Sequence, residues 1–306
     1  MPSARNIFVG SLGFGLVSTL GAPAMAMTPE PEEQEGPVIT GEAEVGIFAE
    51  RSPLADRALV SPMLRLGMRV RPEVELSIKG GAFGLFQDSV ASGFQAQARP
   101  SNLVFQTSFL RERWTGGRWF HFSAGFLFAL PTAFSRSVVD DEAYDQVLGG
   151  RGGWNAWEWD PHSMGIVVPI ALRGQVLERI ELGVEAAGGG LFASGASNDS
   201  PSLVGQGAAD FRYALPWFGV GTRFQAVWNG GREQSRSHLS VVPSLDTSFC
   251  RAGTGRRVRG LVSRTSPDCP VYASARFVVN LDRPYGFVGN DGMRVWGLLV
   301  GLGWAI

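Results

Sequence analysis

With 306 residues, 44% of them hydrophobic, the chain has material for one large domain, and its 27 basic and 28 acidic side chains nearly cancel. That balance excludes the electrostatic footprint of a nucleic-acid-binding protein. Beyond residue 26 no apolar run approaches the roughly 20 residues that a membrane-spanning helix needs, so a helical membrane protein is excluded as well.

The chain opens on a stretch that reads as an address. Arg5 precedes an apolar segment from Ile7 to Leu20, and Ala24-Met25-Ala26 offers a small-x-small cleavage site, so residues 1–26 are predicted to be a secretory signal peptide. Residues 27–40 place Glu30, Glu32, Glu33 and Glu35 among prolines. Such a segment buries too little apolar surface to order itself and is predicted to be a disordered periplasmic tail.

From residue 41 to 306 one theme repeats, a strand with one apolar face and one small or polar face. Leu64, Leu66, Met68 and Val70 alternate with Arg65, Gly67, Arg69 and Arg71. Phe120, Phe122, Ala124, Phe126, Phe128 and Leu130 alternate with His121, Ser123, Gly125 and Ala129. Leu182 and Val184 alternate with Glu181, Gly183 and Glu185, and Val220, Phe224 and Trp228 with Gly219, Arg223 and Gln225. A tilted strand crosses a bilayer in about 9–11 residues, and lipid demands apolar side chains on one face only. Many of the 41 glycines fall inside these segments and suit closely packed, curved strands.

Twelve segments are predicted, at 42–50, 60–70, 73–86, 102–112, 119–130, 163–173, 180–191, 203–214, 217–228, 237–245, 271–281 and 294–306. Short turns at Arg71-Pro72, Thr115-Gly116-Gly117, Leu177-Glu178-Arg179 and Pro216 alternate with long connections at 51–59, 87–101, 131–162, 192–202, 229–236 and 282–292. The fold class is thus all-β, a closed antiparallel transmembrane barrel of about 12 strands, with short turns in the periplasm and long loops outside. Residues 246–270 fit this rhythm poorly, because parity places them among the short turns, and a count of 10 or 14 strands stays open. They hold the two cysteines, Cys250 and Cys269, which are predicted to form a disulfide closing a loop of about 20 residues.

The final segment sets Trp296, Leu298, Val300, Leu302, Trp304 and Ile306 against Gly297, Leu299, Gly301, Gly303 and Ala305. Here the sequence resembles bacterial outer-membrane β-barrel proteins, whose terminal strand carries a signal for the barrel-assembly machinery. Ile306 stands where those signals most often place an aromatic residue. The resemblance implies outer-membrane lipid and lipopolysaccharide as surroundings, the assembly machinery as a partner during insertion, and a small solute as a possible ligand.

The inward face is predicted to carry mixed charge. Arg65, Arg69, Arg71, Lys79, Arg173, Arg212, Arg223 and Arg276 stand against Glu42, Glu44, Glu73, Glu75, Glu181, Glu185 and Asp210. Two readings compete: a constriction that selects solutes by charge, and a network of ion pairs filling a narrow lumen. The function expected is that of a porin-like channel or passive transporter, with a closed structural or adhesion barrel as the alternative. His121-Phe122-Ser123 resembles a fragment of the His-x-Ser pair of outer-membrane lipid A deacylases. Ala124 replaces the asparagine expected next, and both residues fall on the lumen side, so they are read as ordinary lumen residues and the chain as no enzyme. The long connection 131–162 carries Asp140, Asp141, Glu142 and Asp145, then Trp154, Trp157 and Trp159. It is predicted to pack as a lid on the barrel rim; an inward plug and a platform stacking on a sugar or other ligand are the alternatives. No phosphate-binding glycine loop, dinucleotide fingerprint or zinc spacing occurs, so no cofactor or metal is expected.

Overall fold

The computed structural model of the chain describes residues 37–51, 55–89, 93–115, 118–136, 138–194, 201–215, 218–230, 236–249, 271–282 and 294–305. Residues 1–26, most of the predicted tail, and both cysteines lie outside them. Among the described residues thirteen strands occur: β1 (Val38–Arg51), β2 (Ala55–Arg71), β3 (Val74–Ser89), β4 (Gly93–Pro100), β5 (Leu103–Thr115), β6 (Arg118–Leu130), β7 (Ser163–Leu177), β8 (Ile180–Ala193), β9 (Ser202–Ala214), β10 (Gly219–Gly230), β11 (Arg236–Phe249), β12 (Val271–Asn280) and β13 (Arg294–Ala305). Between β6 and β7 lie one helix, α1 (Val138–Gly150), and a short 3-10 turn (Ala156–Glu158). No helix among the described residues is long and apolar enough to cross a membrane.

Twelve strands close into an antiparallel barrel, with β3 passing directly to β5 and β13 sealing the ring against β1. They are the twelve predicted segments, and among the described residues the count is twelve rather than ten or fourteen. β4 is additional. The lower half of β3 pairs with β5 (Ile78 opposite Phe105), and its upper half pairs with β4 (Ala82 opposite Pro100), with the register displaced by one residue between them. β4 and β5 therefore follow one line of the wall, interrupted by a bulge at Ser101 and Asn102. A bulge of this kind re-aims a side chain, and Asn102 is the one it turns inward.

Three boundaries differ from expectation. β1 begins at Val38, inside the stretch predicted as tail, because Val38 pairs with Arg69 of β2. The connections predicted at 51–59 and 87–101 are mostly strand, since β2 starts at Ala55, and β3 and β4 form a paired hairpin. Backbone ladders continue there past the alternation that marks the lipid-facing part of the wall.

The two faces separate as bilayer physics requires. Leu64, Leu66, Met68, Phe122, Phe126, Leu182, Phe224 and Val300 are exposed on the outside, each 43–56% accessible, and form an apolar belt. Met63, His121, Glu181 and Gln225, on the alternate positions of the same strands, are buried inside. Trp228, Trp296 and Phe86 mark the belt near the long-loop ends of their strands, and Tyr213, Phe218 and Phe249 near the opposite ends. This is the aromatic girdle of a membrane barrel. Strand stagger tilts the wall: following paired residues from Phe48, near the long-loop end of β1, through Gly297, Val278 and onward across β11, β10, β9, β8 and β7 leads to His121, near the short-turn end of β6.

Candidate functional site

The barrel interior has two storeys, and the sequence of each strand sets their border. Inner positions toward the short-turn end are charged: Glu42 and Glu44 on β1, Arg65 and Arg69 on β2, Glu75 and Lys79 on β3, Glu181 and Glu185 on β8. Inner positions of the same strands toward the long-loop end are apolar and buried: Phe48, Leu59, Met63, Phe83, Leu85, Ala187 and Leu191. A row of buried apolar side chains inside a barrel needs something to pack against.

The connection between β6 and β7 fills that storey. Ala133, Ala143, Tyr144, Val147 and Trp159 pack with Phe48, Leu59, Met63, Phe83, Leu85, Val242, Val278 and Leu299 into one core. Ala156 and Trp157 pack with Val104, Leu127, Ala129, Val167, Ala187, Leu191 and Val204 into a second. Phe83 meets Tyr144 edge to face, with ring centroids 4.9 Å apart. The segment is thus an inward plug, which corrects the expected rim lid. Its apolar residues find more area to bury in the upper lumen than any rim offers.

Wall side chains hold the plug chiefly by its backbone carbonyls. Asn102, fully buried, donates through Nδ2 to the carbonyls of Trp157 (2.9 Å) and Asp160 (2.8 Å), while its Oδ1 accepts the amide of Ala133 (2.8 Å). Asn280 donates to the carbonyl of Gly149 (2.8 Å), and Gln225 to that of Arg151 (3.0 Å). Gln206 exchanges two bonds with Asn155, one to its amide (2.9 Å) and one to its side chain (3.1 Å). Two ion pairs cross the border. Arg151 reaches Glu44 (2.7 Å), which also pairs with Arg276, and Lys79 bonds both oxygens of Glu158 (2.7 and 2.9 Å). At β13 the contact is backbone to backbone. A Cβ on Gly297 would overlap the carbonyl of Gly150, so only glycine lets the helix end approach this closely.

Beneath the plug lies a cavity of about 480 Å³. Its roof is the underside of the plug, with Arg151, Trp154, Asn155 and Glu158, and its walls include Arg65, Arg69, Lys79, Glu185, Arg223 and Arg276. Most of these charges are paired. Arg65 bonds Glu75 (2.6 Å), and Glu185 receives both Arg173 (3.1 Å) and Arg223 (3.0 Å). Arg212 forks onto Asp246 through two nitrogens (2.9 and 2.7 Å) and reaches Glu181 (3.2 Å). Arg223 also touches Asp210 (3.3 Å) and stacks over the Trp154 ring, 4.0 Å from its centroid.

The inward residues singled out in the sequence sort as follows. Arg65, Arg69, Lys79, Glu185, Arg223 and Arg276 line the cavity, while Glu181, Asp210 and Arg212 form a buried knot in the wall beside it. Arg71 and Glu73 lie exposed at the β2–β3 turn, outside the lumen. His121 and Ser123 both line the cavity, away from the outer face on which a lipid acyl chain would lie. The three tryptophans differ: Trp154 faces the cavity, Trp157 both lines it and belongs to one apolar core, and Trp159 belongs to the other. Asn102, Arg151, Gln206, Gln225 and Asn280 were not singled out. For the four wall residues the signal was faint, polar side chains at or beside inward positions in strand halves that are otherwise largely apolar inside, and Arg151 lay in the connection with no pattern to mark it.

No family model matches the chain, and no curated protein matches it in sequence. Solved structures do match in fold. An outer-membrane channel from Pseudomonas putida F1 superposes with a TM-score of 0.55 at 10% identity, covering 90% of this chain and 99% of that one. The NanC porin gives 0.46 at 8% identity, over 86% and 98% of the respective chains. Closed by twelve strands, girdled by aromatic residues and apolar on its outside, the chain has the architecture of a bacterial outer-membrane β-barrel protein.

Proposed function

We propose that the protein is a porin-like channel that passes small solutes across the outer membrane, with its long-loop end and plug toward the exterior. The observation that carries this reading is the polar space of about 480 Å³ kept inside a closed barrel beneath the plug. A barrel that served only as an anchor has no need of an unfilled interior. The fold-level likeness to a Pseudomonas putida outer-membrane channel points the same way, though fold by itself carries no substrate.

Pairing of the lumen charges shapes the kind of channel. A selective constriction presents uncompensated charge of one sign, whereas here Arg65, Arg173 and Arg223 on the wall sit within 2.6–3.3 Å of carboxylates. Weak selection by charge follows. A signal peptide over residues 1–26, a Cys250–Cys269 disulfide, contact with lipopolysaccharide and insertion by the barrel-assembly machinery complete the proposal. Hydrolysis at His121 and Ser123 is not part of it, because the pair opens on the charged lumen.

One observation favours the rival, a closed structural barrel: the plug is a real hydrophobic core. Planar-bilayer recording of the purified protein separates the two. Discrete current steps with near-equal cation and anion permeability are expected; a silent bilayer holding correctly folded protein would establish the closed barrel instead.

A further inference from the structure

The plug does not meet the wall in the same way all round. It packs apolar side chains chiefly against β1, β2, β3 and β13, and again against β5 to β8, with Val204, Val242 and Val278 of β9, β11 and β12 joining the same cores. Toward the arc from β9 to β12 it presents a glycine turn. Gly152 and Gly153 have φ of +67° and +74°, a conformation that suits glycine and lets the backbone lie directly against the wall with no side chain between. A Cβ on Gly152 would overlap Ser240 Oγ, and one on Gly153 would come within 3.0 Å of His238.

The facing wall is mixed where the other strands are chiefly apolar: Val204, Val227, Val242 and Val278 are buried there, and polar side chains alternate with them along the strands. Ser202 and Gln206 on β9, Gln225 on β10, His238 and Ser240 on β11, and Asn280 on β12 are all buried and point inward. Several of these groups exceed what holding the plug requires. Ser202 Oγ, Ser240 Oγ and Asn280 Oδ1 are buried with no hydrogen-bond partner among the described residues, in side chains at least 98% covered. Buried polar atoms of this kind are rare and mark a place where water or a ligand supplies the bond. At its lower end the arc leads to Trp154 and Arg223, which are part of the cavity lining.

We infer that solute crosses the plugged storey along this seam, between the Gly149–Gly153 turn and the polar arc of β9 to β12, while helix α1 stays docked. This rests on the channel reading and adds the route and the solute class to it. The groups along the seam are hydroxyls, carboxamides and an imidazole, which exchange hydrogen bonds without demanding charge. Small uncharged hydrogen-bonding solutes, such as short polyols, fit it. The movement required is confined to a glycine turn, where backbone rearrangement meets the least steric resistance.

The test compares Ser240→Cys, on the seam, with Ala187→Cys, on β8 within an apolar contact. Each is recorded in a planar bilayer in KCl before and after a membrane-impermeant sulfonated methanethiosulfonate reagent. The wild-type chain under the same reagent controls for Cys250 and Cys269, and heat-modifiable gel migration confirms each barrel. Current through Ser240→Cys is expected to fall at least twofold on modification, and that through Ala187→Cys to hold. Block at Ala187→Cys alone, or no effect at either site, overturns the route while leaving the channel standing. A wild-type chain that never conducts removes the channel and the route together. In liposome swelling, glycerol is expected to enter faster than a carboxylate of similar size; the reverse order overturns the solute class.

Discussion

Single residues in this barrel do unequal work, and Asn102 does most among the neutral ones. Placed inward by the bulge between β4 and β5, its side chain bonds the carbonyls of Trp157 and Asp160 and the amide of Ala133. Removing it leaves three buried backbone groups without their partner, each worth about 1 kcal/mol or more. Asn102→Ala is therefore expected to loosen the plug by about 2–4 kcal/mol. Limited proteolysis with protease added from the long-loop side reads this as faster cleavage within 138–160, with the barrel's gel shift unchanged; equal cleavage rates would remove Asn102 from this role. Glu44 is its charged counterpart. It is 8% exposed and joins Arg151 of the plug to Arg276 of the wall. Breaking a buried pair by deleting one partner costs about 3–5 kcal/mol, because the remaining charge stays buried. Glu44→Ala should lower the temperature at which the barrel loses its folded gel mobility, and by more than Glu42→Ala, which alters a half-buried side chain on the same strand. Equal shifts in the two variants would contradict that ranking.

At the scale of elements, the strands were legible and the plug was not, for a physical reason in each case. Lipid tolerates only apolar side chains, so the outer face of β6 or β13 repeats with period two wherever the strand crosses the bilayer. The plug obeys no such rule. Helix α1 buries Ala143, Gln146, Val147 and Gly150 at the spacing of one helical face, but glutamine and glycine fill two of those positions, so the apolar stripe is faint in the sequence. The signal lay in the strands instead. Phe48, Leu59, Phe83, Leu85 and Leu299 occupy inward positions where an open, water-filled lumen would carry polar residues. Apolar residues on both faces of the upper strand halves therefore announce an inserted segment. Gly297 tests the docking of that segment directly. A valine there collides with the carbonyl of Gly150, and overpacking of a tight contact costs about 1–3 kcal/mol. Gly297→Val should raise plug proteolysis and Gly301→Val, lower on the same strand, should not; matching increases in both would assign the effect to the strand instead of the plug.

For the whole molecule, the balance between the two storeys decides how a channel can work. Withdrawing the plug would expose Tyr144, Val147, Trp157 and Trp159 together with the wall residues they cover. Those four alone represent about 6–12 kcal/mol at the usual value per buried side chain. Fewer than roughly one molecule in ten thousand would then stand open by full expulsion. Passage with the plug in place, through a path much narrower than the barrel, is the consistent alternative. The candidate site was legible to the extent that the lumen charges were assigned to one face from their alternation. Their mutual pairing was not, because ion pairs such as Arg212 with Asp246 join strands whose neighbours and stagger only the closed barrel defines.

The most direct measurement is single-channel conductance of the wild-type chain beside a variant in which residues 137–161 are replaced by a short glycine-serine turn, both verified as folded barrels by heat-modifiable migration. A plugged channel gives small steps in the wild type and steps at least several-fold larger once the segment is gone. Conductance that is the same in both proteins would contradict a lumen stopped by this segment.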